Sequence, residues 1–165
     1  MARSEKAYSG PISDTLRLSL SELMPIISEV LDSGMSVEIA PHGVSMLPML
    51  RDGRDTVILS RPEGKLKKYD VPLYRREDGS FVLHRVVKVG ESYTCIGDNQ
   101  FVYEEGVTDD QIIAVMTSFR RGKRVVSKKS VFYRLYCILW NATRGLRHFV
   151  KRAKRKLRRM IKRKK

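Results

Sequence analysis

The sequence predicts a small, mainly β, antiparallel domain, led by a short helix and followed by a long basic amphipathic helix. Three observations carry this. Between Ser36 and Phe119 the apolar residues alternate or fall in short runs, separated by glycine-, aspartate- and proline-rich turns. Just before that region, apolar residues recur at helical spacing. After it, a stripe of apolar residues three or four apart runs through a segment otherwise filled with Lys and Arg.

The leading helix is expected over residues 19–33. Leu20, Leu23, Ile27, Val30 and Leu31 form its apolar stripe. Ser19 or Ser21 can cap its start, and Glu22 stands three residues after Ser19 as in a capping box. Gly34 follows at the position of a C′ glycine. Pro25 argues for a start close to Ser21, because a proline in a helix interior costs roughly 3 kcal/mol. Residues 1–18 are polar and mixed, and a loosely ordered N-terminus is expected there.

Six strands are expected: Ser36–Pro41, Thr56–Ser60, Val71–Arg75, Phe81–Val89, Tyr93–Ile96 and Gln111–Phe119. Arg76-Glu77-Asp78-Gly79-Ser80 reads as a hairpin tip between two of them. The third region, 121–165, carries Leu135, Leu139, Ala142, Leu146, Phe149, Ala153, Leu157 and Met160 along one stripe, which predicts one long helix over 131–161. The domain division is thus a flexible 1–18, a body over 19–120 and a basic extension over 121–165.

Charge separates body from extension. Residues 1–119 hold 13 Lys and Arg against 18 acids, a net −5, whereas residues 120–165 hold 20 Lys and Arg and no acid. The formal +15 of the whole chain therefore belongs to the extension, which must meet something anionic or remain solvated. The 42% hydrophobic content is enough for a real core. No run of 18 apolar residues is present, and charges interrupt every candidate signal segment in the first thirty residues, so a chain folded in the cytoplasm is expected. Two cysteines, Cys95 and Cys137, argue against a disulfide framework or structural zinc and read as buried packing residues. No metal or cofactor is expected.

Three strings carry candidate chemistry. Gly43-Val44-Ser45-Met46-Leu47-Pro48-Met49-Leu50 places a serine just past a strand. A serine hydroxyl needs a neighbouring base before it is a useful nucleophile. Val82-Leu83-His84-Arg85-Val86-Val87 supplies a histidine, the side chain that titrates nearest neutrality. Cys95-Ile96-Gly97-Asp98-Asn99 supplies an acid in a glycine turn, with Glu104 and Glu105 close behind. Nucleophile, base and orienting acid are the parts of a triad. Taken singly, each string reads as a turn serine, a partly buried histidine and an ordinary turn.

Together these strings resemble the signal peptidase I superfamily, which includes the self-cleaving LexA-type repressors. Ser45-Met46-Leu47-Pro48, His84-Arg85-Val86 and Gly97-Asp98-Asn99 match its boxes in order and approximate spacing, and Arg51-Asp52-Gly53-Arg54-Asp55-Thr56-Val57 matches the segment after the nucleophile. The resemblance covers roughly residues 36–120. With histidine at the base position it is closest to the serine–histidine branch typical of archaea and the endoplasmic reticulum, rather than the lysine branch.

The resemblance implies a signal-peptidase/LexA-like fold and a serine endopeptidase that binds an extended peptide. In it Ser45 is the nucleophile, His84 the base, and the Ser45 N–H an oxyanion donor. It implies Asp98 or Glu104 as the orienter, with Asp98 slightly favoured. Gly43, Met46 and Pro48, flanking the serine, are the candidate substrate contacts. A carboxylate partner is expected to raise the His84 pKa from about 6.5. Two departures stand out: no spanning helix precedes the nucleophile box, and the family's usual glycine is replaced in Lys68-Tyr69-Asp70-Val71.

The alternative is a non-catalytic binding module of the same fold, whose basic tail grips nucleic acid or an anionic membrane. No helix-turn-helix precedes the β region, which disfavours a repressor. The apolar stripe favours a membrane surface, at the inner face, over nucleic acid. His42 reads as a surface residue.

Overall fold

The computed structural model describes the backbone of residues 20–162 and side chains through Lys156. The N-terminal segment predicted over 1–18, and Ser19 as a cap, lie outside the described residues.

Helix α1 spans Leu20–Asp32. Met24, Ile27 and Leu31 are its buried face. Its end is a Schellman motif: the Gly34 N–H donates to the Leu31 carbonyl at 3.1 Å and the Met35 N–H to the Val30 carbonyl at 3.3 Å. Gly34 adopts φ +80°, which a glycine accepts without strain. The helix begins before Ser21 and holds Pro25 in its interior. In an α-helix the N–H that Pro25 lacks would have met the carbonyl of Ser21, an exposed residue of the first turn.

Nine strands follow among the described residues, all paired antiparallel. They are β1 (Val37–Ile39), β2 (Asp55–Ser60), β3 (Pro72–Arg75), β4 (Phe81–Leu83), β5 (Arg85–Val89), β6 (Tyr93–Ile96), β7 (Glu104–Val107), β8 (Ile112–Arg121) and β9 (Arg124–Ser127). One sheet has the order β1-β2-β8-β3-β4, with β9 also on β8. The other is β5-β6-β7. The main apolar cluster includes Leu31, Met46, Met49, Leu50, Val57, Leu59, Val71, Leu73 and Met116. A second cluster, Leu66, Tyr74, Val86, Tyr93, Cys95, Val107 and Val115, fills the space beside the smaller sheet.

The sequence places one strand over Phe81–Val89; the structure divides it at His84. Leu83 pairs with Leu73 in the large sheet, whereas Arg85 pairs with Ile96 in the small one. His84 is thus the residue at which the chain passes between sheets, and its N–H donates to the Pro72 carbonyl at 3.3 Å. The predicted hairpin tip over 76–80 is present, closed by the Arg76 N–H to the Ser80 carbonyl at 2.8 Å.

The expected single C-terminal helix is two: α2 (Val131–Ala142) and α3 (Arg144–Lys162). Ser130 caps α2 by accepting from the Tyr133 N–H. The break falls at Thr143, whose hydroxyl bonds back to the Leu139 carbonyl at 2.8 Å. Tyr133 and Cys137 are buried in the main cluster, so α2 is an integral layer of the body. Leu157 and Met160, predicted on the stripe, lie beyond the described side chains. No described helix is long and apolar enough to cross a membrane.

Candidate active site

The Ser45 loop joins β1 to β2 and is anchored from several sides. Asp52 accepts from the Gly43 N–H at 3.2 Å. Arg121 donates to the Pro48 carbonyl at 3.0 Å and to the Met49 carbonyl. The Asn99 N–H donates to the Ser45 carbonyl at 2.8 Å, and the Asn99 amide to the Val44 carbonyl at 3.1 Å. Buried Asp55 ties the loop's far end to β2 and β8 through Arg51 and Arg121. Four carbonyls of the loop, those of Val44, Ser45, Pro48 and Met49, are thus held.

Gly97 fixes how closely the two loops approach. A Cβ there would lie 2.7 Å from the Ser45 carbonyl oxygen and 3.0 Å from Gln100 Oε1. Gly97→Ala should therefore displace the Ser45 loop, with a loss of about 1–3 kcal/mol in stability and slower reaction of Ser45 with serine-directed reagents. Gly90→Ala, whose Cβ would lie 3.7 Å from the nearest atom, is the matched control and should change neither.

His84 is buried, at 2% exposure. Its Nδ1 lies 3.0 Å from Glu104 Oε1 on β7. Glu104 in turn accepts from the Tyr74 hydroxyl at 2.6 Å and from Arg76 Nε at 2.9 Å, with a second contact to Arg76 Nη2. A carboxylate on Nδ1 favours the tautomer with hydrogen at Nδ1 and a lone pair at Nε2, the form a general base requires. Among the described residues His84 Nε2 and Ser45 Oγ have no hydrogen-bond partner, and neither is an unsatisfied buried atom. The Ser45 N–H likewise has no acceptor among the described residues.

Asp98 does different work. It is fully buried and pairs bidentately with Arg85, Nε to Oδ1 and Nη2 to Oδ2, both at 2.8 Å. Arg85 spends its other donor capacity on the Tyr69 carbonyl, the Tyr133 hydroxyl, Cys137 Sγ and Met49 Sδ. Tyr136 donates to Asp98 Oδ2 at 2.9 Å, and Trp140 Nε1 to the Asp98 carbonyl at 2.9 Å. Arg144 reaches the carbonyls of Gly97 and Gln100. The Gly97–Asn99 turn is thus gripped by α2 and α3 on one side and holds Ser45 on the other. Because Arg85 adjoins His84, the same turn connects the serine loop to the histidine strand.

Of the predicted residues, then, Glu104 meets His84 directly, Asp98 braces Arg85, and Ser45 is held through its carbonyl by Asn99, the neighbour of Asp98; no hydrogen bond joins Ser45 Oγ to His84 among the described residues. Gly43 and Pro48 are exposed, and the Met46 side chain is buried in the core. His42 is exposed and faces Asp52. Sequence reasoning missed Arg85, Tyr74 and Arg76. A groove of about 600 Å³ opens beside Tyr74, Arg76 and Glu104. A larger cleft of about 720 Å³, between residues 60–71 and β8, Lys128, Lys129 and α2, contains none of the predicted site residues.

The electrostatics correct one expectation. The His84 pKa is lowered, not raised, from its ordinary 6.5. Burial disfavours the imidazolium more than Glu104 favours it, and the Arg76 cation opposes it further. For Glu104, burial works against the charge, but Arg76, Tyr74 and His84 together hold its carboxyl below the ordinary value. Burial pushes the Cys95 thiol up to about 12, so it is not a competing nucleophile at neutral pH.

Comparison with protein-family models, with curated proteins and with solved structures found no significant match.

Proposed function

We propose that the protein is a serine endopeptidase in which Ser45 is the nucleophile, His84 the general base and Glu104 the orienter of the imidazole. The observation that carries this reading is the His84–Glu104 pair: a buried histidine with its Nδ1 3.0 Å from a carboxylate oxygen. The resemblance of residues 36–120 to the signal peptidase superfamily supports the roles of Ser45 and His84 and leaves the orienter open between Asp98 and Glu104.

In the proposed reaction Ser45 Oγ attacks the peptide carbonyl carbon while its proton passes to His84 Nε2. The Ser45 N–H stabilises the oxyanion. As the tetrahedral species collapses, the imidazolium returns the proton to the leaving amine. Water, deprotonated by the same imidazole, then hydrolyses the acyl-serine. The substrate is an extended peptide, such as a leader segment, held by strand-like backbone pairing.

The test is labelling of the purified chain by a fluorophosphonate, with Ser45→Ala as control. Labelling that persists in the variant, or none in the wild type, defeats the proposal.

The pH profile supplies a second test. The base acts when neutral, and a lowered pKa keeps it neutral to lower pH, so kcat/KM should rise to a plateau with its midpoint below 6.5. A rate still climbing at pH 9–10 would point to a lysine instead, with Lys88 nearest in sequence.

A further inference from the structure

Helices α2 and α3 present two opposed faces. On one, Tyr133, Tyr136, Cys137, Trp140, Arg144 and Arg147 meet the body, most of them around Arg85 and the Gly97–Asn99 turn. On the other, Phe132, Leu135, Leu139, Leu146 and Phe149 are 49–85% exposed. Successive steps of three, four, seven and three residues put these five on one side of the helical path, away from the packed side chains. Across the break at Thr143 the i→i−4 spacing is kept by the Thr143 N–H to the Leu139 carbonyl and the Arg147 N–H to the Thr143 carbonyl, both at 3.0 Å. Five large apolar side chains on one face exceed what scattered surface residues produce and mark an interaction surface.

We infer that this face docks on an anionic phospholipid surface. Charge selects that occupant. Residues 120–165 carry 20 Lys and Arg and no acid, and Arg134, Lys151, Arg152, Lys154, Arg155 and Lys156 are exposed beside or beyond the stripe. A second copy of this chain would bring two such segments together against their mutual repulsion. Nucleic acid would satisfy the cations but leave the apolar stripe in water. An anionic bilayer satisfies both, with Leu and Phe entering the headgroup boundary and the basic heads remaining at the phosphates. No described helix can span the membrane, so the helices lie on it. The opposite side of the same helices grips the turn that holds Ser45, which would place that loop close to the bilayer surface. The inference stands whether or not Ser45 is a nucleophile.

Flotation of the full chain tests it, using vesicles of phosphatidylcholine alone and of phosphatidylcholine with 30% phosphatidylglycerol. The expected result is recovery with the anionic vesicles, falling about tenfold or more with neutral vesicles or in 1 M salt. L146D/F149D alters two exposed positions and should keep the wild-type unfolding temperature while losing about tenfold or more of the binding. Equal recovery with both vesicles, or undiminished binding of folded L146D/F149D, would overturn the proposal. So would a dimer dispersed by L146D/F149D, or salt-sensitive binding of duplex DNA, in a chain that does not float. Should L146D/F149D fail to fold, the wild-type comparison of the two vesicles and of salt decides alone.

Discussion

Ser45→Ala and His84→Ala should each lower turnover of a cleavable peptide by about 10⁴-fold or more, with the fold intact. The two losses should not multiply in the double variant, because nucleophile and base act as one unit. Neither change should unfold the chain. Ser45 Oγ makes no hydrogen bond among the described residues, and alanine fits its loop. His84→Ala removes a buried ring, so His84→Gln, which retains most of the volume, is the companion variant. Glu104→Gln should fall by about 10²-fold or more. A neutral amide neither fixes the Nδ1–H tautomer as a carboxylate does nor stabilises the imidazolium. Circular dichroism and thermal unfolding establish the fold, and a peptide-library assay the activity. A Ser45→Ala protein that cleaves at the wild-type rate would end the peptidase reading.

The β architecture was legible because its strands bury alternate residues. β2 alternates buried and half-buried positions along its whole length, the period-two signal in the sequence. Gly34 and the 76–80 hairpin were legible because left-handed backbone and tight turns restrict residue choice. Two strands were not. In β7, Glu104-Glu105-Gly106-Val107 combines two acids with a glycine at φ +79°, and its pairing with β6 is set by tertiary contacts. In β9, Arg124-Val125-Val126-Ser127 is hidden by the surrounding basic residues, although Gly122-Lys123 before it is a turn signal. Tyr69 takes φ +78°, left-handed backbone that suits glycine, the residue that the resemblance read from the sequence expects there.

For the proposed site, the sequence slightly favoured one acid beside His84 and the structure places another there. Asp98 lies in the better motif, whereas Glu104 is the residue that reaches the imidazole. One sequence signal bears on this choice. His84 and Arg85 are adjacent in extended chain and point to opposite sides, so the acid that serves Arg85 cannot be the one that caps His84. Arg85 is the cation that claims Asp98. Which acid falls on which side depends on the β5–β6–β7 register, a long-range property that local sequence does not encode.

That division of labour gives the largest stability effect expected in the molecule. Asp98→Ala should destabilise the fold by about 3–5 kcal/mol, because it strands a fully buried guanidinium without its counter-ion. Burial alone would push Arg85 toward neutrality, yet the hydrogen bonds and charge of Asp98 hold its pKa well above the ordinary value. With Asp98 gone, two guanidinium donors and the Tyr136 hydroxyl lose their acceptor at once. Arg85→Ala should be of similar size, since it leaves the carboxylate buried against Tyr136 alone. The double replacement Arg85→Met with Asp98→Leu removes both charges and should recover much of the loss. Glu104→Ala should destabilise far less, because its carboxylate is partly solvated and water can replace it. Urea unfolding of the four variants measures the series. Asp98→Ala at wild-type stability but without activity would reverse the assignment, making Asp98 the orienter of His84 and Glu104 its bystander.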